Sequence, residues 1–419
     1  MKKVVSYMLK ICRFLNLLIY RFKMKKIIKR VRSKERINVL FVLGDLSLWK
    51  TEGLLQAMLQ NNRFNPIIGT TLIIRDNPTE SIRKYNSLLN YLRKKNYSFF
   101  EVCGENILNL QPDIVFYQQP YDDFLPPGIF FERMASNGVL ICDVHYSMRT
   151  LAIRKKNKWI IDQWLYRYCW QMYVENSLTA KFGKLSMLKG SNIVVTGMPI
   201  QDELMKEKNS FSNPWKKQTH DKKKIIYAPH HTIAATSRLL NLSCFLEVCD
   251  IMLELCKKYE DRVQFAFKPH PFLKTKLINY WGEEKTKQYY DAWANASNSQ
   301  LEEGPYINLF KYSDAMIHDC DSFTLEYCFM KNPVMFLSTP AAITDRKNDL
   351  NEFGQKAFDL HTKGLSKEEI ENFILNVING VDNLKQERED FYSKYLAPPN
   401  GRTASENIMR AIIGADLKL

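Results

Sequence analysis

The chain has 419 residues, 45% hydrophobic, 12% aromatic and 25% charged, a globular composition with material for two or three cores that excludes a fibrous or disordered protein. Its formal net charge is +15, but residues 1–36 hold thirteen Lys and Arg against one acid, Glu35, and so supply +12 of it. The other 383 residues are close to neutral, which excludes a nucleic-acid groove across the fold.

Residues 1–36 form an amphipathic basic arm. Val4, Met8, Ile11, Leu15, Leu18 and Phe22 recur at spacings of three and four, flanked by Lys2, Lys3, Lys10, Arg13, Arg21, Lys23, Lys25 and Lys26. Lys10 and Arg13 interrupt the apolar run, so a membrane span of ~20 apolar residues is not available. Arg21-Phe22-Lys23 stands where a signal peptide would have its small-residue cleavage site. The pattern predicts a helix lying in the interface of an anionic leaflet. Nine cysteines form no CxxC pair and no Cys/His metal spacing, the usage of a reducing compartment such as the cytoplasm.

Residues 37–204 alternate strands with helices. Ile37–Leu43, a strand within Pro66–Ile74, Asp113–Tyr117, Val139–Val144 and Ile193–Thr196 read as strands; Thr51–Gln60 and Glu80–Lys95 read as helices. This is the pattern of a doubly wound parallel sheet, which places ligands beyond the carboxyl ends of its strands. His145 follows one such strand and is a candidate general base for deprotonating a hydroxyl. Residues 151–175, rich in Trp, Tyr, Lys and Arg, read as the outer and core faces of one helix. Residues 205–224 keep no apolar period and read as a linker, with His220 solvated in it.

A second α/β domain is expected over 225–384, followed by C-terminal helices in 385–419. Strand Ile225–Ala228 ends in Pro229-His230-His231-Thr232, helix Leu239–Lys257 follows, and strand Val263–Phe267 ends in Lys268-Pro269-His270-Pro271. Asp314–His318 then reads as a strand, Asp319–Ser322 as a polar turn, Phe323–Lys331 as a helix with Ser322 at its N-cap, and Val334–Leu337 as a strand. A hydroxyl, backbone N–H groups and a helix N-terminus at Ser322 suit a phosphate. Glu326, one turn on, suits a ribose. His230, His231, Lys268 and His270 supply charge or donors, and the three turns together form a diphosphate clamp. Adjacent histidines on an extended strand point to opposite faces and rarely share a metal. Asp319-Cys320-Asp321 mimics a DxD metal motif without further ligands at fitting spacing, so no metal is expected.

These residues, in this order, resemble the CDP-glycerol glycerophosphotransferase family, the teichoic-acid primases and polymerases and their capsule relatives. The resemblance rests on Tyr227-Ala228-Pro229, Lys268-Pro269-His270-Pro271, and Asp314…Asp319-x-x-Ser322…Glu326…Lys331-x-Pro333. His145 stands at the family's His-Gly motif, Gly197-x-Pro199-x-x-Asp202 at its Gly-Tyr-Pro-Arg-x-Asp motif, and Gly401–Glu406 at its Gly-x-Ala-x-Glu stretch. The resemblance implies a GT-B architecture: two Rossmann-like domains facing across a cleft, with the final helices, Lys385–Leu396 and Thr403–Ile413, crossing back to the first. It implies a peripheral enzyme on the cytoplasmic face of the membrane. There an acceptor hydroxyl on a lipid-linked glycan attacks the β-phosphate of a CDP-alditol and CMP leaves, with no cofactor and no metal. His145 is then the base, His270, Ser322 and Thr324 hold the diphosphate, and Glu326 binds the cytidine ribose. This chain has Tyr146, Ile200, His230-His231-Thr232 and Asp321 where the family has Gly, Arg, Thr-Trp-Arg and Ser. These departures bear on the donor, and leave a GT-B glycosyltransferase using a nucleotide sugar, or a non-catalytic nucleotide- or glycan-binding protein, as alternatives.

Overall fold

In a computed structural model of the chain, residues 2–73, 78–121, 125, 126, 128–152, 161–233 and 243–415 are described, without the side chains of residues 2–10, 340 and 341. Ile74, Trp159 and the first turn of the helix expected from Leu239 therefore lie outside the described residues, as do the side chains of Val4, Met8, Lys2, Lys3 and Lys10. The chain divides into two units. One comprises Met1–Met148, Ile153–Asp202 and Ala397–Leu419; the other comprises Arg149–Ala152 and Glu203–Leu396.

The first unit carries seven strands: β1 Ile37–Leu43, β2 Phe64–Thr70, β3 Phe99–Glu101, β4 Ile114–Tyr117, β5 Leu140–Val144, β6 Gln171–Val174 and β7 Ile193–Val195. They pair in the order β3-β2-β1-β4-β5-β6-β7, and every pairing is parallel. The central strands read as continuous apolar runs because helices cover both faces of such a sheet. Phe41, Phe116 and Tyr173 stack across β1, β4 and β6 at 5.2 and 6.1 Å.

The N-terminal helix Lys2–Ser33 belongs to this unit. Leu17, Tyr20, Met24, Ile27 and Val31 are buried against it at helical spacing. The Tyr20 hydroxyl donates to Val139 O at 3.0 Å, Arg21 donates to Cys169 O at 2.8 Å, and Arg32 donates to Ile412 O at 2.9 Å. The basic aromatic stretch is the dock for this helix. Arg13 lies 4.8 Å from the Trp164 ring and Arg32 5.5 Å from the Trp170 ring. Among its described residues, Trp164–Tyr168 form a short helix and Gln171–Val174 form β6, so the single two-faced helix expected there is corrected to a helix and a strand.

Gly197 and Asp202 close the unit. Gly197 has φ +79°, and a Cβ there would come within 2.9 Å of Pro398 and 3.0 Å of Ala404. The Asp202 carboxylate accepts from Ala404 N at 2.6 Å, Ser405 N at 2.9 Å and Ser405 Oγ at 2.7 Å. These are the orphan donors at the start of helix Ala404–Ile413, which also has a capping box of Thr403 and Glu406. Helix Lys385–Phe391, in contrast, stays with the second unit, where buried Arg388 donates to Lys331 O. Of the two final helices, only the last returns.

The second unit carries β8 Lys223–Ala228, β9 Val263–Phe267, β10 Ser299–Leu301, β11 Ala315–His318, β12 Val334–Leu337 and β13 Thr362–Gly364. Their order is β10-β9-β8-β11-β12-β13, again all parallel. Helix Phe245–Lys258 packs Phe245, Val248, Met252 and Leu255 into its core, and Phe267 stacks on Trp293 at 5.3 Å. The polar stretch 205–224 is tied to this unit: Trp215 is buried, and Lys216 N donates to Gln300 Oε1 at 2.7 Å.

Candidate functional site

The order of the second sheet runs outward from β8 to β10, then reverses to place β11 on the other side of β8. Beyond the carboxyl ends of strands at such a reversal, a crevice opens for ligands. The turns after β8, β9 and β11 are the three that the sequence singled out. Backbone bonds lock the first two together: Lys268 N donates to Tyr227 O at 2.8 Å and His270 N to Pro229 O at 3.0 Å.

His230, His231 and His270 meet here. Their ring centroids are 4.3 Å apart for His230 and His231, 4.9 Å for His230 and His270, and 4.2 Å for His231 and His270. β8 ends at Ala228, so the adjacent histidines sit in the turn beyond it. The opposite-face argument for an extended strand therefore does not apply. Burial, together with the neighbouring His231, His270 and Arg346, pushes His230 down to about 3, and burial lowers His231 as well. Of the two roles expected for His230, charge or donor, this favours the neutral donor at pH 7. Lys268 is buried and its pKa is lowered by that burial.

The third turn differs from its sequence reading. Helix Phe323–Glu326 is a single turn continued by 3-10 geometry over Tyr327–Met330. Ser322 is itself helical (φ −61°, ψ −38°) and makes no side-chain cap bond, so its N-cap role is corrected: one turn of helix carries little dipole. Asp319 is fully buried; its carboxylate accepts from His230 N and from Cys244 N at 2.8 Å. Its oxygens are turned to the backbone, which removes it from any DxD-type metal pair. Asp321 is ion-paired with Arg346, from helix Pro340–Asp349. Thr324 is buried and donates to Cys320 O at 3.3 Å, and Glu326 is buried beside Tyr306, whose pKa burial and that carboxylate raise. Arg346 is the residue sequence reasoning missed; no motif surrounds it, and only the fold brings it to the turn.

In the first unit, His145 follows β5 directly and is 8% exposed. Its Nδ1 lies 2.7 Å from Ser147 O. Ser147 N also lies 3.2 Å from this Nδ1, but the carbonyl contact is the shorter and a carbonyl only accepts, so the geometry favours the proton on Nδ1 and leaves Nε2 as the basic nitrogen. The Tyr146 ring stacks on His145 at 4.3 Å, and its hydroxyl is 3.2 Å from that of Tyr121. Tyr146, at the family's glycine, thus packs against the imidazole and restricts its rotation.

No curated protein matches the chain. Among solved structures, that of the wall teichoic acid polymerase TagF soaked with CDPG shares 14% identity over 96% of this chain and 97% of that one, with a TM-score of 0.55. S. aureus MnaA with UDP shares 16% identity over 90% and 96% of the two chains, at a TM-score of 0.55. The UDP-GlcNAc 2-epimerase of Neisseria meningitidis, bound to UDP-GlcNAc, shares 13% identity over 90% and 100%, also at 0.55. At these identities the likeness is one of fold, a GT-B-like pair of α/β units. The family described as CDP-Glycerol:Poly(glycerophosphate) glycerophosphotransferase matches residues 138–414, a stretch that holds His145 and all three turns of the second sheet. The chain therefore belongs to the CDP-glycerol:poly(glycerophosphate) glycerophosphotransferase family and is a transferase of that kind.

Proposed function

We propose that this transferase moves glycerol phosphate, or a related alditol phosphate, from a CDP-activated donor to a lipid-linked glycan in cell-wall or capsule polymer synthesis. The family match across both histidine-bearing regions carries the reading. The donor diphosphate binds at the turns after β8, β9 and β11. There the imidazole N–H groups of His230, His231 and His270, the hydroxyl of Ser322, and the cations Lys268 and Arg346 meet its charge, Thr324 steadies the turn through its bond to Cys320 O, and Glu326 takes the ribose. Asp321 serves by holding Arg346 at that turn. His145 Nε2 takes the proton of the acceptor hydroxyl; the resulting oxygen forms a bond to the β-phosphorus as the bond to CMP breaks, and CMP departs with the negative charge.

We place the protein on the cytoplasmic face of the membrane as a peripheral enzyme. No helix among the described residues is long and apolar enough to cross a membrane. The N-terminal helix instead shows two faces. Leu17, Tyr20 and Met24 are buried, whereas Ile11, Leu15, Leu18 and Phe22 are 50% or more exposed, with Lys23, Lys25 and Lys26 exposed beside them. An apolar stripe bordered by lysines fits an anionic lipid surface.

The deciding experiment incubates purified protein and a lipid-linked acceptor extract with CDP-glycerol, CDP-ribitol or common nucleotide sugars, and reads nucleotide release and product mass. CMP release with an added alditol phosphate is the expected result. A product joined by a glycosidic bond, without donor phosphorus, would establish the nucleotide-sugar alternative, with Asp321 and the two histidines of the β8 turn as its donor-selecting residues. No acceptor-dependent release with any donor would leave the protein a binding module.

A further inference from the structure

The three-histidine cluster has a second capacity, alternative to donating N–H groups directly to an anion: with the proton on its other nitrogen, each ring can turn a lone pair toward a cation. One ring nitrogen from each of His230, His231 and His270 lies within 4.8 Å of the other two. The turn beyond β8 brings the adjacent pair to one side, and the backbone bond from His270 N to Pro229 O holds the third against them. Thr232 Oγ1, 3.0 Å from His230 Nδ1, orients that ring as an outer-shell partner does. His231 Nδ1 is buried with no hydrogen-bond partner in the protein. A buried polar atom without a partner costs about 1–3 kcal/mol, so something is expected to occupy its lone pair or proton.

We propose that His230, His231 and His270 bind a divalent transition-metal ion of the zinc type, with one coordination position left for a phosphate oxygen. Three imidazoles are the donor set of zinc, cobalt or nickel; magnesium and calcium take oxygen ligands. Zinc–nitrogen bonds of about 2.0–2.1 Å put tetrahedral ligands roughly 3.4 Å apart. The nitrogens, which lie within 4.8 Å of one another, therefore close by at most about 1.4 Å, a movement within reach of side-chain rotation. His270 joins by giving up the 3.2 Å bond that its Nδ1 accepts from Phe272 N. All three rings are only partly buried, which leaves the ion an open side. Two of the three ligands are residues at which this chain departs from its family's pattern, so the site is a property of this chain. The assignment of the open position to a phosphate rests on the donor reading above; the metal site does not.

The test uses the full chain, without a histidine tag, stripped with a chelator and dialysed. Zn2+ is titrated by calorimetry, and Co2+ binding is followed by its visible absorption. Cys12 and Cys103, the exposed thiols, are changed to Ser so that they do not compete. One equivalent of Zn2+ is expected, with an intense tetrahedral Co2+ band. His231→Ala and His270→Ala should each weaken binding by about tenfold or more, and His231→Asn, closer in shape and polarity, should weaken it in a chain whose circular dichroism is unchanged. No saturable binding, or one equivalent bound with the same affinity in all three variants, would overturn the site. CDP-glycerol should then shift the Co2+ spectrum. A spectrum that stays fixed, in a protein that releases CMP from CDP-glycerol, would overturn the phosphate position while the transferase reading stood.

Discussion

Replacing Asp319 by Asn should change how stability depends on pH, not merely its level. Burial raises the Asp319 carboxyl from 3.8 to about 7, although the His230 and Cys244 N–H groups pull it the other way. A folded-state pKa raised above the unfolded one means that the folded chain holds a proton the unfolded chain releases. Stability from this group is fully present below about pH 4 and is lost as pH rises through 7. Three pK units at ~1.4 kcal/mol each set a ceiling of about 4 kcal/mol, of which about 2–3 kcal/mol falls between pH 5 and pH 8. Asparagine does not titrate. It keeps one acceptor and turns an NH2 toward the other backbone N–H, a pH-independent loss of about 1–3 kcal/mol. His230 and His318, both lowered to about 3 by burial, act in the opposite sense, losing stability as pH falls below 6.5. The difference between wild type and Asp319→Asn cancels their effect. Urea unfolding of both proteins at pH 5, 6.5 and 8 should show wild type losing ground by about 2–3 kcal/mol across the series. A difference that stays constant with pH would refute the argument and show that the backbone donors keep the carboxylate ionised throughout.

Other outcomes follow from the same geometry. His145→Ala should abolish transfer, by at least about a hundredfold, with donor affinity by calorimetry unchanged; normal turnover would remove it as the base. Arg346→Ala removes a cation from the donor turn and leaves Asp321 unpaired there, so CDP-glycerol affinity should fall by about tenfold or more, and Arg346→Ala combined with Asp321→Ser should recover part of the loss. Equal affinity in wild type and both variants would place Arg346 outside the donor site. Leu18→Asp with Phe22→Asp, both on exposed positions, should leave the melting temperature within a few degrees and lower sedimentation with anionic vesicles by more than about tenfold; unchanged sedimentation would exclude the stripe as the anchor.

The sequence showed most of the fold because buried parallel strands are continuous apolar runs. INVLFVL, DIVFY, VLICDV and VQFAF needed no tertiary knowledge to be read. β3, β10 and β13 are three-residue edge strands with no such run, and β6 hides in an aromatic stretch that resembles a helix. The candidate site was legible where it lies next to a strand end: His145, His230, Lys268 and His270. Three features were not. The side to which the His230–His231 turn points is a backbone property. Arg346 reaches Asp321 from a helix with no motif, and the change from one α-turn at Phe323–Glu326 to 3-10 geometry over Tyr327–Met330 leaves no mark in the apolar pattern. Gly197-x-Pro199-x-x-Asp202 was noticed as a family mark, yet its work is to cap a helix two hundred residues away, which spacing alone does not reveal.

That cap has a consequence for how the protein is made. The chain leaves the first unit at Asp202 and re-enters it at Ala397, after the whole of Glu203–Leu396. At about 5–20 residues per second, a ribosome takes on the order of 10–40 s to traverse that stretch. During that interval, the groove that receives helix Ala404–Ile413, against helix Glu52–Leu59, waits uncovered. The second unit is nearly contiguous and can complete itself on the nascent chain; the first, although it emerges earlier, finishes last. A stop codon or a bulky fusion close to the C-terminus would therefore injure the half of the protein that was synthesised first.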